Sequence, residues 1–148
     1  MWHNEIGGGF LNIGIYPLAF AVMVFGAKPE KITSAGKLND GGVDVYNFVT
    51  LEYTNSRFAT IEYTMLATLD GTVTITGSKG RIHLLPRLIQ PQKFNSEGFR
   101  YEAEAVVKAI QSKQQEIKEY SFGESLQIMT IMDKIRKDMG LVYPADNK

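Results

Sequence analysis

Apolar positions change period twice along this chain, dividing it into a helix, a run of strands and then helices again. From about Leu11 to Phe25 the residues are apolar almost without interruption, with only Asn12 and Tyr16 carrying polar side chains. This stretch predicts a buried helix of about 15 residues, bent or effectively started at Pro17, because a proline forfeits a hydrogen bond inside a helix. Gly26 suits the C′ position, and Pro29 bars continuation. From Lys31 the period becomes two. Ile32 to Leu38 reads as a strand and Asn39-Asp40-Gly41-Gly42 as a turn. Val43, Val45, Val49, Leu51 and Tyr53 line one face of a long strand, with Asp44, Tyr46, Phe48, Thr50 and Glu52 on the other. Thr54-Asn55-Ser56 turns the chain, and Arg57 to Met65 returns with Ala59, Ile61, Tyr63 and Met65 alternating against Phe58, Thr60, Glu62 and Thr64. Thr72 to Thr76 and Arg81 to Leu84 form a further hairpin, closed by Gly77-Ser78-Lys79-Gly80. Turns this short predict antiparallel pairing.

Leu85 to Glu97 holds two prolines and little periodicity, and reads as a loop. Gly98-Phe99-Arg100-Tyr101-Glu102 leads into a helix to about Gln111, with Phe99, Ala103, Val106, Val107 and Ile110 as its buried stripe. After a polar connector, Lys113 to Tyr120, a last helix runs from about Gly123 to Met139. Ser121 is placed as its N-cap and Glu124 as the N3 partner of a capping box. Its apolar positions are Leu126, Ile128, Met129, Ile131, Met132, Ile135 and Met139. Lys134, Arg136 and Lys137 sit where the helix dipole favours cations, and Gly140 ends the helix. Segregated elements of this kind predict an α+β fold: an open, mainly antiparallel β-sheet of about five strands with helices packed on one face, in a single domain over residues 1–148.

Composition narrows the function classes. Sixteen Lys and Arg balance sixteen Asp and Glu, so no basic excess points to nucleic acid or a membrane surface. Cysteine is absent, which excludes a disulfide scaffold and a thiolate zinc site and fits a cytoplasmic protein. His3 and His83 lie 80 positions apart without clustered acids, so no metal site is expected. The apolar run from Phe10 to Ala27 contains Asn12, Gly14, Tyr16 and Pro17 and lacks a basic lead-in, so it is read as a core helix rather than a signal or membrane segment.

Candidate chemistry gathers at Gly7-Gly8-Gly9-Phe10-Leu11-Asn12-Ile13-Gly14-Ile15-Tyr16-Pro17-Leu18. The glycines let a chain segment or a ligand approach the backbone closely. Helical spacing puts the Asn12 amide and the Tyr16 phenol on one face. They form a candidate acid–base and substrate-binding pair, or else Tyr16 is a core residue with its hydroxyl tied to a carbonyl. The Thr-rich sheet face with Tyr46, Phe48 and Phe58 is either solvated or packs on a copy of itself. No nucleotide fingerprint, Walker loop or nucleophile elbow is present.

The glycine-rich opening, followed in order by Gly42-Val43-Asp44, the Thr72 to Ile82 segment, Gly98-Phe99-Arg100-Tyr101-Glu102, Glu124-Ser125-Leu126, Met132-Asp133-Lys134-Ile135-Arg136 and Gly140-Leu141-Val142-Tyr143-Pro144, resembles the C-terminal domain of the Gfo/Idh/MocA oxidoreductases. The dihydrodiol dehydrogenase-like branch is the nearest in pattern. The resemblance covers nearly the whole chain. It implies a substrate-binding and oligomerising domain whose partner, an N-terminal Rossmann domain holding NAD or NADP, is absent from this chain, so no tightly bound cofactor is expected here. It implies hydride transfer at a hydroxyl or carbonyl carbon of a sugar, polyol or dihydrodiol. Tyr16 takes the position of the family's acid–base or substrate-orienting residue, and a lysine of the Rossmann domain would lower its pKa. Asn12 stands where the family usually has Asp, so it can hold a hydroxyl but not ionise. Tyr101 and Glu102 would border the pocket, and the open sheet face with Tyr46, Phe48 and Phe58 would form a homodimer. The rival reading is a non-catalytic interaction module built on that face.

Overall fold

A computed structural model describes residues 7–85, 99–118 and 120–147. The loop expected over Leu85–Glu97 therefore lies, beyond residue 85, outside the described residues. Two compact units are formed, one from Met1–Thr68 with Gly123–Lys148 and the other from Leu69–Phe122.

In the first unit, β1 (Lys31–Leu38), β2 (Asp44–Tyr53) and β3 (Arg57–Thr64) make an antiparallel sheet in the order β1-β2-β3. Lys31 stands opposite Glu52, and Val49 faces Ser34 on one side and Ile61 on the other. The alternation of apolar residues sets which side is covered. Val49, Leu51, Tyr53, Ile61 and Tyr63 point into a core completed by Leu18, Ala21 and Val22 of α1 (Ile15–Phe25) and by Ile128, Ile131, Met132 and Ile135 of α3 (Phe122–Met139). Fully burying an aliphatic side chain stabilises by about 1.5–3 kcal/mol, so this one layer of helices on one sheet face carries the unit. Leu126 and Met129, expected among the buried positions of α3, are exposed; the covered stripe is the i, i+3, i+4, i+7 set from Ile128.

The second unit holds the hairpin of β4 (Val73–Gly77) and β5 (Gly80–Leu84), and α2 (Phe99–Gln111). β4 and β5 pair only with each other among the described residues, so a three-stranded and a two-stranded sheet replace the single five-stranded sheet expected. Short turns dictate which strands form hairpins, whereas joining one hairpin to another sheet depends on long-range contacts. The stripe of α2 also differs from expectation: Val106, Val107 and Ile110 are exposed, and the buried residue is Ala109. The α+β class itself holds.

Two local irregularities set the backbone around the start of α1. Between Lys37 and Leu38 the register shifts, so that Lys37 pairs with Tyr46 but Leu38 pairs with Asp44. Val45 is the extra residue of a β-bulge. Gly36 and Leu38 share a face, and so do their partners Asn47 and Asp44. Asp44 is thereby carried from the solvated face, where simple alternation places it, to the covered one. The second irregularity lies ahead of α1, where Phe10–Gly14 forms a π turn and Ile15 N–H reaches back to Phe10 O. Pro17 cannot donate to residue 13 and its ring crowds that carbonyl; a widened turn just upstream relieves both.

Candidate functional site

The glycine-rich lead-in is packed against two residues that alternation alone does not single out. The Phe10 N–H donates to Asp44 Oδ2 at 2.6 Å, and the Tyr63 hydroxyl donates to the same oxygen at 2.7 Å. Asp44 is 0% exposed. The Tyr63 ring stacks on Phe10 at 5.7 Å between centroids. Glycines are required where this group closes on the backbone. A Cβ on Gly8 would lie 1.7 Å from Asp44 Oδ1, and one on Gly14 would lie 2.6 Å from both the Phe10 and Tyr63 rings. The close approach that the glycines permit is therefore made by the protein's own Asp44 and Tyr63. Burial raises the Tyr63 phenol far above its usual range, and the hydrogen bond to Asp44 and its charge add to the rise. Tyr63 is a fixed donor at neutral pH. Tyr143 is raised too, to about 12, by burial first and then by the Asp44 charge.

Above this anchor the functional candidates face outward. Tyr16 is 56% exposed in the first turn of α1, which rules out the core reading of its phenol. Asn12 is exposed as well, four residues earlier. Its Nδ2 donates to Gly8 O at 2.9 Å, and its backbone N–H reaches the same carbonyl at 3.3 Å. The Asn12 amide is thus oriented with a donor tied down, leaving its carbonyl oxygen to accept from a hydroxyl. Leu11 and Ile13, their neighbours in the chain, are exposed, as is Met23 farther along α1, and no charged residue occurs from Phe10 to Phe25. A charge-free surface carrying one amide and one phenol offers hydrogen bonds to neutral polar groups and no cation to pair with an anion.

The same geometry tests the lead-in as a phosphate cradle. An anion at a helix start needs free N–H groups, but Phe10 N–H is already bound to a carboxylate whose charge would repel it. This lead-in thus does not fit a dinucleotide's phosphates. Nor is there, among the described residues, a group of three or more His, Asp or Glu able to hold a metal, or a helix long and apolar enough to cross a membrane. Tyr101 and Glu102 lie in the first turn of α2, both exposed, and belong to the other unit. A shallow groove of about 380 Å³ runs along α2 between Arg100, Ala103, Glu104, Val107, Lys108 and Gln111; it is formed by a single helix face, and neither Asn12 nor Tyr16 lines it.

The Asn12 contact makes a prediction. Asn12→Asp sets a carboxylate against the Gly8 carbonyl, two acceptors without a proton, and is expected to destabilise the fold by about 1 kcal/mol at pH 7. The new carboxyl would titrate above its unfolded value of about 3.9, so the loss is full at pH 7 and recedes as pH falls through that raised folded pKa. Urea midpoints at pH 7 and pH 4 check this; equal shifts at both would show that the donor at position 12 is not used.

Sequence reasoning missed Asp44 and Tyr63 as parts of this site. The available signal was Asn47, a polar residue on the apolar alternation of the same strand, which marks that strand end as a polar, irregular corner.

Residues 1–83 match the GFO/IDH/MocA C-terminal domain. The chain is also similar to trans-1,2-dihydrobenzene-1,2-diol dehydrogenases. With that of Xenopus laevis it shares 34% identity over 164 residues, covering 95% of this chain and 50% of the relative. With that of Danio rerio it shares 34%, covering 96% and 49%, and with that of Homo sapiens 28%, covering 97% and 50%. The chain spans about half the length of these curated relatives. Match and relatives agree with the α+β fold, and the chain belongs to the GFO/IDH/MocA family, carrying its C-terminal domain on the dihydrodiol dehydrogenase-like branch.

Proposed function

We propose that this chain is the substrate-binding and oligomerising part of an NAD(P)-dependent oxidoreductase acting at a hydroxyl or carbonyl carbon of a sugar, polyol or dihydrodiol. The observation that carries the reading is an outward-facing phenol, Tyr16, on a charge-free turn anchored to a buried carboxylate. The dinucleotide is assigned to the half of the relatives' length that this chain does not span, in keeping with the poor fit of its phosphates here, and it supplies the hydride chemistry. This chain's residues hold the substrate oxygen and move its proton. Asn12 Oδ1 accepts from a substrate hydroxyl, and the Tyr16 O–H shares a proton with the reacting oxygen. A phenol exchanges protons near neutrality only beside a cationic neighbour, and that lysine is assigned to the dinucleotide-binding half. Tyr101 and Glu102 stay in the proposal as residues bordering the substrate, and the face with Tyr46, Phe48 and Phe58 as a homodimer interface. The proposal includes a cytoplasmic location.

The test joins this chain to a dinucleotide-binding half and assays a trans-dihydrodiol. Tyr16→Phe is expected to lower kcat about 100-fold or more, the usual contribution of a positioned proton donor, with sedimentation unchanged. A kcat equal to wild type would remove Tyr16 from the chemistry and favour the interaction-module reading, to which the exposed Phe48 and Phe58 already lend some weight.

A further inference from the structure

The buried carboxylate beneath the π turn is not explained by packing. Asp44 is wholly buried, yet among the described residues only one of its oxygens is hydrogen-bonded; Oδ1 has no polar partner among them and lies against Gly8. A buried charge is costly unless it is compensated, and an aliphatic residue would fill the corner without that cost. What a carboxylate adds is two short, charge-assisted hydrogen bonds to fixed donors. One donor, Phe10 N–H, is the first amide of the π turn. The other, Tyr63, holds Asp44 from behind while its ring supports Phe10 and leaves room only for glycine at position 14.

The anchor sits two residues before Asn12 and six before Tyr16, along one continuous helical path. π turns are rare and tend to occur at functional positions, so this one needs outside support to persist. Any slip at Phe10 is passed up the path to both side chains, and a misplacement of about 1 Å can cost about 100-fold in rate.

We propose that Asp44 is a positioning residue: through the Phe10 amide it fixes the π turn and so sets where Asn12 and Tyr16 meet the substrate. The role rests on the proposed function for its effect on turnover, but the hold itself can be read without substrate.

Three variants test it in the polypeptide that carries both halves. Asp44→Asn keeps the size of the side chain and its one oxygen can still accept from both donors, but it removes the charge that strengthens those bonds and sets an NH2 in place of Oδ1 against Gly8. It is expected to speed hydrogen exchange at Phe10 N–H at least 10-fold while the β2–β3 ladder amides keep their protection, and to lower kcat about 10-fold or more with KM changed less than about 3-fold. Because Asp44 acts through the turn that leads into Tyr16, the kcat loss of Asp44→Asn/Tyr16→Phe should fall well short of the product of the two single losses, the remainder acting through Asn12. Tyr63→Phe, which leaves Asp44 in place but unbraced, should give the same exchange signature more weakly and serves if Asp44→Asn does not fold. Unchanged exchange at Phe10 in both single variants overturns the proposal, as does a kcat loss in Asp44→Asn that multiplies onto that of Tyr16→Phe. A wild-type kcat in Tyr16→Phe would overturn the proposed function instead, and exchange at Phe10 would still decide the hold.

Discussion

Gly8→Ala is expected to lower the stability of the fold by about 3 kcal/mol or more, the cost of breaking a buried charge away from its partners. The added Cβ would lie 1.7 Å from Asp44 Oδ1, 2.6 Å from its Cγ and 3.2 Å from its backbone nitrogen. A flexible side chain could swing away from such a clash, but Asp44 has one methylene and its other oxygen is committed to Phe10 and Tyr63. Moving the carboxylate strands two buried donors, each costing about 1–3 kcal/mol. Moving the backbone instead pulls the π turn off the sheet. Against a usual total of about 5–15 kcal/mol, that is a large share of what holds the unit together. Gly77→Ala, whose Cβ meets nothing nearer than 3.9 Å, is the neutral control, expected within about 0.5 kcal/mol of wild type. The urea midpoint should fall for Gly8→Ala with little change in slope. If its stability stays within 1 kcal/mol of wild type (about the effect of one ordinary substitution), the close contact of Gly8 with Asp44 is wrong.

The same corner marks the limit of what the sequence reveals. Period-two alternation locates β1, β2 and β3 because each has one covered face, and a slip by one residue would expose every inward side chain. Gly26 at the end of α1 is legible because its φ of 88° is available to almost no other residue. The bulge at Val45 is not legible in that way. Val43, Asp44 and Val45 are all buried, and a repeat of two has no means of registering three consecutive covered residues. The π turn escapes for a related reason, since a window tuned to 3.6 residues treats Phe10 to Phe25 as one helix; only Pro17 hints that the hydrogen bonding must change. Spacing makes Tyr16 and Asn12 legible as candidates, but the anchor beneath them arises from contacts 19 and 34 positions apart in the chain. The exposed stripe of α2 shows the remaining gap: periodicity identifies an apolar face without identifying what covers it.

Phe48→Glu/Phe58→Glu is expected to raise the dissociation constant of the proposed homodimer by about 1,000-fold or more while leaving a folded monomer. On the outer face of the sheet the register sets Ala35, Phe48 and Glu62 in one row, Thr33, Thr50 and Thr60 in the next, and Lys31, Glu52 and Phe58 in a third. Phe48 is 56% and Phe58 64% exposed, and Phe48 meets Tyr46 edge-on at 6.1 Å between centroids. A two-fold interface uses the same patch on both subunits, so two substitutions per chain bring four carboxylates into it. Each substitution loses an aromatic anchor, which central interface positions reward by about 2 kcal/mol or more, and each new carboxylate would have to be buried in the interface without a cationic partner. Within one chain the cost is small, because both positions are more than half exposed and such surface changes fall within about 0.5 kcal/mol. The Lys31–Glu52 pair, 2.9 Å apart but exposed, adds little to either state. Sedimentation of this chain beside the double variant separates the outcomes. A wild-type dimer and a folded variant monomer support the interface. Two monomers mean that the threonine rows and the aromatic pair face water in this chain, and the oligomerising half of the proposed function is withdrawn.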